Sequence, residues 1–592
     1  MSEPTSPGSL VVVDEDSTRA PERLAVAIIV VLIGAFLGQV LRFPFIYDDH
    51  WTIVHNPVVT SLWNLPSLLG FRFAAEGVPD AGRPTMLATI LLDVKLWGFV
   101  PLGFHLQNLF WHAAASVFVL FGLRHVTMSL PVALFGASLF AVHPLNVEAV
   151  TVVNYREDLL VGTFLLAALF AMGAGRRSLA AGKKRGFKTL AFILFVIAAF
   201  AKESAYVAPL LVLVLDWLPP PRLHPAIPAR GLPPGRDPRE RWLDATMATA
   251  AVALVFVWRA LAIGRMATVS TTAEVGAAGV FLRLVEGCHA FIAGLFQVVA
   301  PRGLSPEYDP ATVDGFGLFM GALAILVTAA LGLVVYLLRR RASLVALGLA
   351  FALVAYLPTL GFIGITNERA DRYFYVPMMG LVLVVVSGLS HATEWLNRKL
   401  RKGRPPIAIL GTPVVWLIAA AAVAGSGMLA RAQSTVWADE ELMWARSIRV
   451  APNSPRAWAG YASSLLEKRK NQEAEMAVSA GLQRFNEDSR LRELLALVYM
   501  NEGSFVSACS VLKETADDGA AYERAQRASN LGYCLMQIGR LEEALPHFEK
   551  SRKLAPWFDQ AWTNEAEALR RLGRETEAKQ LIDQLNAREH RE

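Results

Sequence analysis

Long apolar runs constrain this chain more than any other feature. A helix needs about 20 apolar residues to cross a hydrocarbon core of roughly 30 Å, and residues 24–41 form the first run on that scale. Others follow near 106–123, 130–142, 159–174, 190–201, 206–218, 245–263, 315–338, 342–365, 376–389 and 407–430. Several need their polar flanks to reach the full thickness, and the count comes to about eleven spans. Backbone polar groups in lipid must be satisfied within the element, so runs of this length mean helices. With 54% of the 592 residues hydrophobic and 18% charged, an ordinary soluble protein is excluded.

The polar parts fit between these spans. Residues 1–23 have nothing periodic to bury and read as a mobile cytoplasmic tail, and with no small-residue cleavage site after it the first span is a retained anchor. Residues 42–105 carry many charges but also Trp51, Trp63, Phe71, Phe73 and Trp97, which suits a large first loop of interfacial helices. Basic clusters at 176–185, 222–241, 339–341 and 398–404 fall at alternate span ends, so that side is cytoplasmic. The amino terminus is then inside, and the first loop and carboxyl terminus are outside. Residues 280–300 are apolar but interrupted by Arg283, Glu286 and His289; a span there would reverse the later charges, so this run reads as re-entrant or interfacial. The net charge of +6 does topological work and does not indicate nucleic acid. Cys288, Cys509 and Cys534 are too few for a disulfide framework and lack metal-site spacing.

After residue 430 the composition changes. Residues 431–454 read as a helical connector, and from 455 to 592 small and aromatic positions recur with a period of about 34. Four copies are visible, with Trp458, Tyr461 and Ala474; Leu495, Tyr499 and Ala508; Gly532, Ala544 and Phe548; and Trp562, Ala566 and Ala578. These are tetratricopeptide repeats, whose stacked helix pairs make a solenoid with a concave face. The fold class is therefore all-α: a polytopic membrane domain over 24–430 followed by an α-solenoid.

Three polar clusters carry the chemistry. The segment Tyr47-Asp48-Asp49-His50 places two adjacent carboxylates at the mouth of the first span, an expensive position that points to function. A transferase needs a base for the acceptor hydroxyl, and Asp48 or Asp49 supplies one; the alternative is that both cap a loop helix or pair with arginine. The second cluster runs from His143 through Glu148 to Arg156, Glu157 and Asp158, and if it is one helix Glu148 and Arg156 share a face. Lys202-Glu203 interrupts another apolar run as an internal ion pair. The third cluster, Glu368-Arg369-Ala370-Asp371-Arg372-Tyr373-Phe374-Tyr375, offers forked arginines for a phosphate and tyrosines at headgroup level, or else ordinary span-end anchors. No glycine-rich nucleotide loop is present.

Taken in order, these motifs, with Asn56-Pro57, Gly82-Arg83-Pro84, Leu96-Trp97-Gly98 and 105–108, resemble the transmembrane and tetratricopeptide-repeat O-mannosyltransferase family over nearly the whole chain. The resemblance implies a type C glycosyltransferase fold, a polyprenyl-phosphate-linked donor of mannose or a similar hexose, inversion, and a protein hydroxyl as acceptor. It implies Asp48 as base with Asp49 in support, and Arg369, Arg372, Lys202 and Arg156 on the donor phosphate. Tyr47, His50, Arg83, His143, Glu148, Asp158, Glu203, Glu368, Tyr373 and Tyr375 would line the substrate pocket. The animal members have more repeats than the four seen here, and the alanine- and arginine-rich composition suits a bacterial inner membrane with periplasmic repeats.

Two other classes stay open: an O-antigen-ligase-like transferase with a lipid-diphosphate donor, which needs no acidic pair in its first loop, and a non-catalytic membrane scaffold presenting repeats. No cofactor is specified. Asp48, Asp49, His50 and His55 leave a divalent cation open without diagnostic spacing.

Overall fold

The computed structural model describes residues 15–69, 80–217, 238–263, 277–310, 315–362, 367–400, 413–515, 517–519 and 521–589; most of the basic stretches 222–241 and 398–404, and Phe71 and Phe73, lie outside these. Among the described residues every regular element is helical. They form two compact units, Met1–Pro306 with Pro310–Asp439, and Glu307–Asp309 with Glu440–Glu592.

The first unit begins with α1 (Glu15–Leu37), so the polar tail is helical from Glu15. Short turns between Gly38 and Leu69 carry the acidic pair. Then come α2 (Pro84–Trp97), α3 (Pro101–Thr127), α4 (Leu130–Ala141), α5 (Val147–Thr151), α6 (Arg156–Arg177), α7 (Ala181–Ala201), α8 (Ala208–Trp217), α9 (Pro238–Ile263), α10 (Ala277–Val299), α11 (Gly315–Leu338), α12 (Ser343–Tyr356), α13 (Tyr375–Leu400) and α14 (Pro413–Ser434). Proline punctuates the starts: Pro84, Pro101 and Pro131 sit in the first turn, where the missing N–H costs nothing. Small residues permit close approach, as where α12 meets α13: a Cβ on Gly348 would lie 2.5 Å from the Gly380 carbonyl oxygen.

This is a multi-pass membrane chain. Among the described residues eight helices are long and apolar enough to cross a bilayer, or nine if the pair Leu130–Ala141 and Pro144–Thr151, bent by 49°, is one span. The expected count was about eleven. α7 falls out because Lys183, Lys184, Arg185 and Lys188 occupy its first half, α8 has only ten described residues, and Ser343–Thr359 is short. The run read as re-entrant or interfacial is one continuous helix: α10 has no break at which a chain could turn back, which removes the re-entrant form and leaves the interfacial one, while Gly279–Val299 is by length and composition also sufficient for a span.

The second unit contains α15 (Glu440–Val450) and four helix pairs: α16 (Pro455–Glu467) with α17 (Asn471–Arg484), α18 (Ser489–Asn501) with α19 (Phe505–Glu514), α20 (Ala521–Gln537) with α21 (Leu541–Leu554), and α22 (Asp559–Arg571) with α23 (Glu575–Glu589). Ala474, Ala508, Ala544 and Ala578, fully buried, recur at the interval read from the sequence and let paired helices touch. The turn inside each pair needs one left-handed residue. Gly503, Gly539 and Gly573 supply it at φ 78°, 80° and 74°, and Arg469 does so at φ 59° in the first repeat. Although three cysteines make no framework, Cys509 of α19 and Cys534 of α20 form a disulfide with Cα atoms 5.7 Å apart.

Candidate active site

The acidic pair follows a sharp turn. Tyr47 adopts φ 56°, a left-handed conformation unusual for a non-glycine residue and of the kind that collects at functional sites. Beyond it the two aspartates part company. Asp49 is fully buried, accepting from the backbone N–H of Asn154 at 2.7 Å and of Ile46 at 3.3 Å. Burial lifts its pKa to about 7 against the pull of these amides, so at neutral pH the pair need not carry two full charges. Asp48 is half-buried and accepts one hydrogen bond at Oδ2 from the Tyr155 hydroxyl at 3.0 Å.

Tyr155 links this carboxylate to the third cluster. The Arg372 guanidinium lies 3.9 Å from the centre of the Tyr155 ring. Glu148 fixes that arginine twice, pairing with Nη1 and accepting from the Arg372 backbone N–H at 2.9 Å. Arg372 also lies 5.1 Å from the Tyr373 ring, whose other neighbour, Lys202, is at 5.7 Å. Lys202 bonds both Asp158 oxygens at 2.8 and 2.7 Å and Glu157 at 2.9 Å. Glu157 in turn meets Arg83 at 2.5 Å, and Arg83 reaches Asp80 at 2.8 Å and Glu203 at 3.4 Å. Burial opposes ionisation of Glu203, yet Arg83 and Arg259 hold its pKa down at about 2; Arg259 Nη2 is 2.5 Å away. Asp80 is pushed up by burial despite Arg83.

One connected network thus gathers Asp48, Glu148, Asp158, Lys202, Glu203, Arg83, Arg372 and Tyr373, with Asp49 behind it. Glu148 and Arg156 do not share a helix face, because the chain breaks between α5 and α6. Arg156 is fully buried on its own: Asp93 at 2.6 Å, Asn108 at 2.7 Å, Gln107 at 2.6 Å, Thr89 and the Phe104 carbonyl occupy its guanidinium. His143 Nε2 lies 3.0 Å from the Val298 carbonyl, and its Nδ1 accepts from the Leu145 N–H. Tyr375 is buried against His112 Nδ1 at 2.9 Å. Half-buried Arg369 stands 3.4 Å from Gln297; burial raises the neighbouring Glu368, also half-buried, and His50 is exposed. Among the described residues no three His, Cys, Asp or Glu side chains are grouped to hold a metal ion.

Arg259, Asp80 and Asp93 were not singled out from the sequence. Arg259 had a signal, an arginine inside an apolar run; the two aspartates had none beyond their charge.

No family model matches the chain. Protein O-mannosyl-transferase TMTC1 of Homo sapiens is 24% identical over 484 residues, 74% of this chain and 52% of that protein. Protein O-mannosyl-transferase TMTC4 of Homo sapiens is 23% identical over 72% of this chain and 61% of its own length. The chain is similar over most of its length to proteins named as protein O-mannosyl-transferases. It spans about half the length of the first of these relatives, and a shorter match to Drosophila melanogaster Tmtc1 reaches 32% identity over 30% of this chain and 21% of that one. Among solved structures, the archaeal oligosaccharyltransferase AglB from Archaeoglobus fulgidus matches at 15% identity over 77% of this chain and 59% of that chain, with a TM-score of 0.39. ArnT from Cupriavidus metallidurans matches at 13% identity, 84% and 81% coverage and a TM-score of 0.34. At such scores neither superposition carries weight.

Proposed function

We propose that the chain is a membrane O-glycosyltransferase that moves mannose or a similar hexose from a polyprenyl-phosphate donor to a hydroxyl of a protein, with inversion. The observation that carries this reading is the asymmetric aspartate pair: Asp49 buried on backbone amides, Asp48 held by Tyr155 beside a cation. The names of the relatives support the reaction class.

In this reading Asp48 takes the acceptor proton as the hydroxyl attacks the anomeric carbon, using the oxygen that Tyr155 does not hold. Asp49 fixes the turn that aims it. Arg372, oriented by Glu148, meets the charge that develops on the departing phosphate, and Arg369 stands three residues before it to assist. Lys202 is held by Asp158 and Glu157, so it shapes the pocket floor with Arg83 and Glu203. Arg156 serves as a buried strut, because its donors are all used within the protein. The site faces the outer side, with the repeats there guiding the protein acceptor and a bacterial inner membrane as the setting.

The test is transfer of radiolabelled sugar from polyprenyl-phosphate donors to protein acceptors by the purified chain. Wild type labels protein, and Asp48→Asn, which keeps the shape and loses the base, falls by about 10²–10⁴-fold. Labelling from a lipid diphosphate but from no monophosphate donor would replace this reading with the ligase.

A further inference from the structure

At the end of the membrane unit where its cations gather, α7 and α9 flank an open, shallow cleft of about 500 Å³ lined by Lys184, Arg185, Lys188, Phe192, Leu243 and Met247, among others. The two helices run parallel from this end, because Lys184 pairs with Glu240 and Lys188 with Asp244. The cleft therefore has two tiers. Cations occupy the upper tier at the helix starts, and Phe192 and Met247 lie deeper, one to two turns on.

The upper tier is held by a buried ion network. Asp244, with no exposed surface, is shared by Lys188 at 3.0 Å and Arg176 Nε at 2.5 Å. Arg176 forks onto Asp216 at 2.6 and 2.7 Å. Four helices, α6 to α9, are so tied together at one level. Trp242, 61% exposed, marks that level as the headgroup region, since Arg239–Ala262 is long enough to cross a bilayer. At the rim three cations stand against two carboxylates, Glu240 paired with Lys184 and Asp244 paired with Lys188, and Arg185 is exposed.

We propose that this cleft binds an anionic glycerophospholipid, its phosphate on Lys184, Arg185 and Lys188 and an acyl chain along Phe192, Leu243 and Met247. The match is one of order as well as charge: a cationic rim above an apolar floor, aligned with a membrane-length helix, fits an amphiphile. A soluble anion would use only the rim, and a zwitterionic lipid would gain nothing from the excess charge. The site lies outside the Asp48 network, so it stands whether or not the chain transfers sugar.

The experiment follows the thermal midpoint of the full chain in detergent as phosphatidylglycerol or phosphatidylcholine is titrated in. Wild type rises with phosphatidylglycerol at lower concentrations than with phosphatidylcholine. The double variant Lys184→Gln with Arg185→Gln, which leaves the Lys188–Asp244 pair intact, needs about tenfold more phosphatidylglycerol or better. Arg340→Gln with Arg341→Gln, at another basic edge, keeps the wild-type response. Met247→Trp fills the floor and weakens the response without removing charge. No preference for phosphatidylglycerol, or a double variant that retains it, overturns the proposal. So does equal protection by inorganic phosphate, which would reduce the cleft to a phosphate site, or stronger protection by undecaprenyl phosphate, which would assign it to a polyprenyl lipid.

Discussion

At the site of the membrane unit, ion pairs join residues far apart in the chain and are buried: Arg372 meets Glu148 across 224 positions, and Arg156 meets Asp93 with neither side chain exposed. In the solenoid, Arg540–Glu543, Arg571–Glu567 and Arg574–Glu577 join neighbours three or four apart, on side chains roughly half exposed. The first kind fixes tertiary structure, because breaking a buried pair strands a charge in a low dielectric. The second kind decorates helices that small buried residues already pack. The solenoid also has longer-range pairs, among them Arg552–Glu565 at 2.8 Å and Glu493–Arg527 at 3.8 Å, with burial raising Glu493 to about 7.

The comparison can be broken by removing one partner from each unit. Glu148→Ala should destabilise the membrane unit by about 3–5 kcal/mol, read as a lowered thermal midpoint in detergent, whereas Glu577→Ala should leave the solenoid's midpoint in place. Equal effects would erase the distinction.

A smaller effect follows from Asp49. Its folded pKa of about 7 exceeds the ordinary value of 3.8, so the folded state holds its proton more tightly. Stability from this group is full below pH 4, declines as pH rises through 7, and is flat above. Asp49→Asn should lack that slope in a series of melting curves, whatever its absolute midpoint.

Tyr155→Phe sharpens the comparison at a single residue: it removes the hydrogen bond to Asp48 and keeps the ring under Arg372. Turnover should fall by up to about tenfold with the donor KM unchanged, while Tyr155→Leu raises the donor KM as well. The least effect is expected at Arg469, which stands in the left-handed turn position that glycine holds in the other repeats. Arg469→Gly should raise the solenoid's midpoint, by no more than about 1 kcal/mol in stability.

Local patterns were readable in the sequence: apolar runs, the Asp48-Asp49 pair at a span mouth, and the recurring alanines of the repeats. What escaped was set by long-range pairing. Nothing near Arg156 in the chain announces Asp93 or Asn108, which meet its guanidinium from other elements. Glu148 was matched with Arg156 by helical spacing, but the break before α6 gave it to Arg372 instead. Arg259 was hidden inside a run counted as a span, and its partner Glu203 lies on another element. For the run at 280–300, read as re-entrant or interfacial from its charges, the unbroken helix α10 removes the re-entrant form alone.

The Cys509–Cys534 bond joins the second helix of one repeat to the first helix of the next. A solenoid pulled from its ends gives way at the boundaries between neighbouring repeats. Here one internal boundary is riveted, and the residues between the two cysteines, 25 positions apart, cannot lengthen under load. Traction on the array would peel away the outer helices first, leaving the riveted middle as the last piece to yield.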